Sequence, residues 1–118
     1  MRGEAVLRYR DGKTERVRLE EADTEKQVLR VVRDSGDATQ VPFERLKAVF
    51  FPDRSESHPY PEGGSEIAVE FADGEVIRGK AHYNPERNGF FLYPHDRSKN
   101  DRVFVVNSAI VSIEVEKL

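Results

Sequence analysis

Apolar and polar residues alternate along most of this chain, and that alternation is typical of short β-strands with one buried face. At the start of the chain, the apolar Leu7 and Tyr9 alternate with Arg8 and Arg10. Successive side chains of a strand point to opposite faces, so this segment predicts a strand over residues 5–10. The pair Asp11-Gly12 that follows favours a hairpin turn, because glycine readily adopts a positive φ. The pattern therefore predicts an all-β protein.

The same pattern occurs twice. Residues 6–12 (Val-Leu-Arg-Tyr-Arg-Asp-Gly) return as residues 68–74 (Ala-Val-Glu-Phe-Ala-Asp-Gly), and residues 41–51 return as residues 105–115. An internal repeat of this size predicts two copies of one small unit. We predict five strands in each copy. The later strands are placed at residues 27–33, 39–43 and 47–51 of the first copy, and at residues 89–93, 102–106 and 110–116 of the second copy.

One hairpin register fits both copies. A loop of residues 11–13 pairs Leu7 with Val17, and the same register pairs Phe71 with Ile77 in the second copy. It also sets Arg8 opposite Arg16, which is unfavourable for like charges. We therefore expect an anionic group near the basic face formed by Arg8, Arg10, Arg16 and Arg18. The acidic second half or Glu20 and Glu21 would supply it, and the alternative is RNA or another anionic partner.

Three regions follow from this pattern: a first small barrel (residues 1–51), a linker (residues 52–66) and a second small barrel (residues 67–118). The linker holds three prolines, two glycines and three serines, a composition that excludes regular structure. Each copy has roughly 50 residues, a size that buries too little surface to be stable alone. We therefore predict that the two five-stranded barrels pack on each other.

Several predicted strands contain two adjacent apolar residues. These doublets are Val31-Val32, Phe50-Phe51, Phe90-Phe91 and Val105-Val106. Adjacent residues of a strand face opposite sides, so one member of each doublet points away from its own barrel. It must then contact the other barrel, the linker or another chain. From these positions we predict an interaction surface that includes Phe51, Phe90, Val32 and Val106.

Composition limits the function classes. Of the 118 residues, 35% are charged and the net charge is −3. Residues 1–52 carry 11 basic and 10 acidic groups, and the rest carry 8 and 12, so neither half has the charge of a typical nucleic-acid-binding domain. The chain has no cysteine, no apolar leader and no apolar run of membrane-spanning length. We predict a cytoplasmic protein that does not contact a membrane.

The two copies resemble SH3-like small barrels, and the second resembles the Sm-like version of that fold. The resemblance rests on residues 67–71, the turn Asp73-Gly74 and the following Gly79, which are similar to the first Sm motif. Residues 104–113 look like the closing strand pair of bacterial Hfq. The first copy departs from the motif, because it has Val17 where the second has Gly79.

The chain as a whole also resembles an uncharacterised bacterial domain family that often sits beside PilZ domains. Residues 46–51 (Leu-Lys-Ala-Val-Phe-Phe) and 88–94 (Asn-Gly-Phe-Phe-Leu-Tyr-Pro) carry this resemblance. It covers nearly the whole chain and implies no activity. The Arg-x-x-x-Arg segment with which PilZ domains bind cyclic di-GMP has no match here, because four residues separate Arg97 from Arg102.

A loop in the second copy is the strongest candidate for a ligand site. It carries Arg97, Lys99 and Arg102, and we expect Tyr83 and Arg87 to lie near it, together with Asn84, Phe90 and Tyr93. Cations next to aromatic rings suit a phosphate and a stacked base. The alternative is a solvated loop in which Asp96 and Asp101 pair with the neighbouring arginines.

The motifs of an enzyme or a metal site are missing from the sequence. His58, His82 and His95 have no metal-ligand spacing, and neither a nucleophile elbow nor a phosphate-binding glycine loop occurs. We predict no cofactor, no metal and no catalysis. The leading hypothesis is a protein-binding or adaptor module in bacterial signalling. The second is RNA or cyclic-dinucleotide binding through the basic loop.

Overall fold

Ten β-strands and two single-turn 3-10 helices make up the described part of the chain. The computed structural model describes residues 3–52, 64–95 and 100–116. The first half contains β1 (Gly3–Tyr9), β2 (Thr14–Asp23), β3 (Val28–Val32), β4 (Ala38–Pro42), a 3-10 helix (Phe43–Arg45) and β5 (Leu46–Phe51). The second half contains β6 (Ser65–Phe71), β7 (Val76–Ala81), β8 (Gly89–Pro94), β9 (Arg102–Val106), a 3-10 helix (Asn107–Ala109) and β10 (Ile110–Glu116).

All ten strands belong to one antiparallel sheet. Their order is β10-β6-β7-β8-β9-β5-β1-β2-β3-β4, so both halves have the same strand order and join where β5 pairs with β9. The prediction of an all-β protein is confirmed. The predicted arrangement of two tandem five-stranded barrels is replaced here by one open sheet, since no ladder between described strands closes either half.

The hairpin register predicted from the sequence was wrong by two residues. Leu7 lies opposite Glu15 and Ala5 opposite Val17, while in the second hairpin Val69 lies opposite Ile77. The turn closes one residue earlier than expected, because the Tyr9 N–H donates to the Lys13 carbonyl. The faces are unchanged, since a shift of two residues keeps each side chain on the same side.

This correction removes the expected repulsion in the first hairpin. Arg8 lies opposite Thr14, and Arg16 lies opposite Val6, so the two arginines do not face each other. The turn itself explains the shift. Gly12 has a φ of 92° and Gly74 a φ of 88°, and the carboxylate of the preceding aspartate accepts a backbone N–H in each hairpin.

Two hydrophobic cores lie on opposite faces of the β5–β9 pair. On β5, Val49 and Phe51 belong to the first core, while Ala48 and Phe50 belong to the second. The residues of β9 divide in the same way: Phe104 and Val106 are in the first core, and Val103 and Val105 are in the second. Each half therefore contributes side chains to the core of the other half.

The shared cores account for the apolar doublets. Phe51, Phe90 and Val106 are buried within the chain, and Val32 is half-buried. The four residues assigned to an interaction surface thus fill the interior or its margin instead of a free face. The outward residue of each doublet was expected to contact the other barrel, the linker or another chain. At the β5–β9 pair, this residue packs against the other half of the same chain.

Two glycines allow the backbone to pass close to neighbouring groups. A Cβ atom on Gly79 would lie 2.3 Å from the Tyr93 carbonyl oxygen, and one on Gly89 would lie 2.4 Å from the Phe104 ring. No helix in the described part of the chain has the length and apolar character needed to cross a bilayer.

Candidate functional site

A cluster of four charged side chains joins the two halves. Lys47 on β5 is buried, and its ammonium group donates to the carboxylates of Asp73, at 2.8 Å, and Glu75. Arg8 on β1 donates to the same Glu75 at 2.9 Å, and its guanidinium group lies 4.2 Å from the centre of the Phe50 ring. The expected anionic neighbour of Arg8 is therefore a carboxylate of the second half.

The electrostatics of this cluster indicate a structural role. The hydrogen bond from Lys47 holds the pKa of Asp73 below its usual value, and the backbone N–H of Glu75 acts in the same direction. Both cations are already paired with carboxylates of the same chain. The cluster thus fixes the hairpin of the second half against the first half and leaves little free charge for a ligand.

A second ionic group lies on the first hairpin. Glu15 accepts hydrogen bonds from the Tyr9 hydroxyl, at 2.8 Å, and from Arg33, at 2.6 Å. The hydrogen bond from Arg33 is the main cause that lowers the pKa of Glu15, whereas burial is the main cause that raises the pKa of Tyr9. Arg10 donates to the backbone carbonyls of Leu46 and Phe43. The last two contacts hold Arg10 of the basic face against its own half.

A surface groove of about 530 Å³ is lined by residues of both halves. Ten residues line it: Thr24, His82, Tyr83, Asn84, Arg87, Gly89, Phe90, Phe91, Tyr93 and Phe104. Its volume lies within the range of about 300–1,000 Å³ that is typical of ligand pockets. Half of these ten described residues are phenylalanine or tyrosine, and the ten include one arginine, one histidine and no carboxylate.

The turn that carries Arg87 is held by three asparagine side chains, two from the turn itself and one from the 3-10 helix before β10. Asn84 accepts the backbone N–H of Glu86 and, through its own carbonyl, the N–H of Arg87. The amide nitrogen of Asn107 donates to the carbonyls of Asn84, at 3.2 Å, and Arg87. Asn88 donates to the Thr24 carbonyl at 2.6 Å, which connects the turn to the first half.

The aromatic walls of the groove support one another. Tyr83 and Phe90 meet edge to face with ring centres 5.3 Å apart, and Phe91 and Phe104 meet in the same way at 5.4 Å. Phe90 and Phe104 are buried, whereas Tyr83 and Tyr93 remain half-buried. A rigid apolar floor with partly exposed tyrosine rings favours contact with another flat or apolar group.

The structure brings together part of the candidate site that the sequence indicated. Tyr83 and Arg87 line the groove, as do Asn84, Phe90 and Tyr93, which were expected near the same loop. Arg102 lies outside the groove lining, because its guanidinium group stacks on Phe91, at 4.3 Å, and Phe51, at 5.2 Å. Arg97 and Lys99 lie outside the described residues.

Sequence reasoning missed Thr24 and Asn107 as parts of this site. Thr24 comes from the first half, and Asn107 lies on the 3-10 helix before β10, so neither is near residues 83–93 in sequence. No group of three histidine, aspartate or glutamate residues suited to a metal ion occurs in residues 3–52, 64–95 and 100–116.

Comparison with known proteins places the chain in a family. The model of a family of unknown function, DUF6982, matches residues 1–117. The chain belongs to this family. No curated protein and no solved structure matches it. Membership in DUF6982 covers both halves together, so the family is defined over the two-half unit and not over one copy.

Proposed function

We propose that this DUF6982 chain is a non-catalytic binding module whose contact site is the aromatic groove. The observation that carries the proposal is the composition of the described groove wall, in which aromatic rings lie together with Arg87 and His82. In a chain with 22 acidic residues and a net charge of −3, this part of the surface is unusual. It is suited to an apolar partner that also carries negative charge.

The occupant that we propose is a protein segment with aromatic and acidic side chains. Tyrosine and arginine are enriched where proteins bind one another, because they combine large contact area with hydrogen bonding. Arg87 is exposed at the rim and would pair with a carboxylate, while Tyr83 and Tyr93 would contact an aromatic ring. An adaptor role in bacterial signalling is part of this proposal.

The second candidate is a nucleotide or single-stranded RNA in the same groove. Half-buried tyrosines next to an arginine are the arrangement on which bases stack and phosphates bind. It is favoured by the aromatic lining, whereas Arg102 lies outside that lining and stacks on two phenylalanines.

The equal strand order of the halves supports a likeness to SH3-like or Sm-like units. The strand order is β5-β1-β2-β3-β4 in the first half and β10-β6-β7-β8-β9 in the second. In each half, a 3-10 helix precedes the last strand of the sequence. We propose that each half derives from such a small barrel that has opened at the β5–β9 junction. This relationship concerns the fold and implies no ligand.

The test combines a peptide selection with a nucleotide titration. A random peptide display library would be selected on the immobilised chain, and synthetic versions of enriched peptides would be titrated by fluorescence anisotropy. We expect aromatic and acidic peptides whose affinity falls at least tenfold in Arg87→Ala and Tyr83→Ala. Arg16→Ala, an exposed arginine on β2, is the matched control and should bind as the unaltered chain does.

The same variants distinguish the two candidates. Cyclic di-GMP and a short single-stranded RNA would be titrated at low salt, where phosphate contacts are strongest. Nucleotide binding that disappears in Arg87→Ala, without any selected peptide, would favour the second candidate. Peptides that bind all variants equally would refute the groove as the contact site.

A further inference from the structure

The sheet has two edge strands, and they differ in how well they are protected. Among the described residues, β4 pairs with β3 alone and β10 pairs with β6 alone. An unpaired strand edge presents N–H and C=O groups that can pair with another chain. The strand of the first half that corresponds to β10 is β5, and β9 pairs with the outer edge of β5. In the second half, no strand of residues 3–52, 64–95 and 100–116 covers the same position.

The direction of the backbone groups on β10 follows from the neighbouring ladders. Phe71 donates its N–H to Glu75 across the β6–β7 hairpin, so alternate residues of β6 face β7 and the others face β10. Glu70 and Ala68 are therefore the residues that bond to β10, and their partners are Ser112 and Glu114. The backbone groups of the alternating residues Ile113 and Val115 point away from the sheet, and Val111 precedes them at the register shift between Ile110 and Ser112.

These same three residues form an apolar stripe. Val111 is 60% exposed and Val115 is 44% exposed, although both lie in a strand, and Ile113 packs partly against the second core. The open edge thus carries three apolar side chains on one face and contains neither lysine nor proline. Natural edge strands usually carry lysine, proline or a β-bulge to limit pairing. Of these, β10 has only the register shift at its start, and its residues 112–116 pair regularly with β6.

The β4 edge has a device that β10 lacks. Arg33 donates to Asp37 and Phe43 donates to Gln27 across the β3–β4 pair, so Thr39 and Val41 face β3. Pro42 consequently lies at a position that faces the open edge, where its missing N–H removes a donor. Pairing between β10 of one chain and β4 of the next is therefore disfavoured.

We propose that β10 pairs antiparallel with β10 of a second copy of this chain, about a two-fold axis at Ile113. In this register Ile113 meets its own counterpart, and Val111 meets Val115 of the second copy, with about six backbone hydrogen bonds formed. The apolar stripe becomes continuous across the two copies. The result is a closed dimer whose sheet runs through both chains.

The charged residues of the strand are compatible with this register. On the opposite face, Glu114 lies across from Ser112 of the second copy. No glutamate of β10 meets another glutamate directly, so the pairing avoids the repulsion of like charges in opposite positions. The inference concerns the β10 edge and does not depend on the proposed function of the groove.

The test places charged residues at positions that lie opposite each other in the proposed dimer. Sedimentation equilibrium of the whole chain should show a species of twice the 13.5 kDa chain mass at micromolar concentrations. V111K/V115K places lysine opposite lysine and should weaken the dimer at least tenfold. V111K/V115E places lysine opposite glutamate at both ends of the same register and should restore the dimer.

The control is Val76→Lys, which adds the same charge at another exposed valine, 45% exposed, away from the edge. It should leave the dimer unchanged. A monomer at all concentrations, a dimer that persists in V111K/V115K, or loss of the dimer in Val76→Lys would overturn the proposal. Filaments that grow with concentration would also overturn it, since they would indicate pairing of β10 with β4.

Discussion

Replacement of Phe104 by alanine should destabilise both halves together, because this side chain crosses from one half to the core of the other. Phe104 lies on β9 in the second half, yet it is 3% exposed and belongs to the first core. Its ring contacts Phe43 of the first half, with ring centres 5.8 Å apart, and Phe91, at 5.4 Å. Both halves therefore depend on it.

The magnitude follows from the burial of the ring. Truncation of a buried phenylalanine to alanine costs about 3–5 kcal/mol, since transfer free energy and a cavity term add. The two edge-to-face contacts, at about 0.5–1.5 kcal/mol each, place the loss toward the upper end of that range. A folded chain of this length has a free energy of unfolding on the order of 5–15 kcal/mol. Phe104→Ala should thus remove a large fraction of it.

Urea unfolding followed by circular dichroism measures the loss, and amide hydrogen exchange shows where it falls. We expect one cooperative transition at lower urea, and faster exchange in β1 and β3 as well as in β8 and β9. Val76→Ala, at an exposed site, is the control and should change little. A loss under about 1 kcal/mol, or faster exchange confined to the second half, would refute the shared core.

Three further predictions concern the hairpin and the ionic groups. Gly79→Ala should destabilise the chain by about 1–3 kcal/mol in urea unfolding, because its Cβ would meet the Tyr93 carbonyl oxygen, whereas full stability would contradict this close approach. Lys47→Ala should cost about 1–3 kcal/mol, since it removes a buried donor from two carboxylates, and NMR titration should find the pKa of Asp73 closer to its usual value. The pKa values of Glu15 and Asp73 are lower in the folded chain than their ordinary values of 4.5 and 3.8, so both carboxylates stabilise the fold at a pH above those ordinary values. This stability is lost as the pH falls through the lowered pKa values of the folded chain. Urea unfolding between pH 2 and 6 should therefore show a decline on the acid side that is smaller in Glu15→Gln, and an unchanged decline in that variant would argue against the Glu15 contribution.

Local pattern was sufficient to predict the elements of this fold. The internal repeat and the short apolar runs located β5, β9 and β10 to within a residue, because both are read directly from the sequence. The two Asp-Gly pairs were recognised as turns for the same reason. Local proximity also placed Tyr83 and Arg87 in one candidate site, since a single short turn separates them.

The sequence could not determine the hairpin register. Alternation distinguishes the two faces of a strand, but a shift of two residues leaves every side chain on the same face. The choice between these registers was made by hydrogen bonds in the turn, where Tyr9 bonds to Lys13. These bonds depend on backbone geometry that the residue pattern does not specify.

What the sequence by itself determined was the set of strands, their faces and the two-sided apolar character of β5 and β9. What only the tertiary structure decided was that these two strands pair with each other. That pairing joins residues about fifty positions apart, and nothing local to either segment specifies its partner. Because adjacent side chains point to opposite faces, the pair can fill two cores at once. The surfaces that we propose for partners are therefore the aromatic groove and the β10 edge.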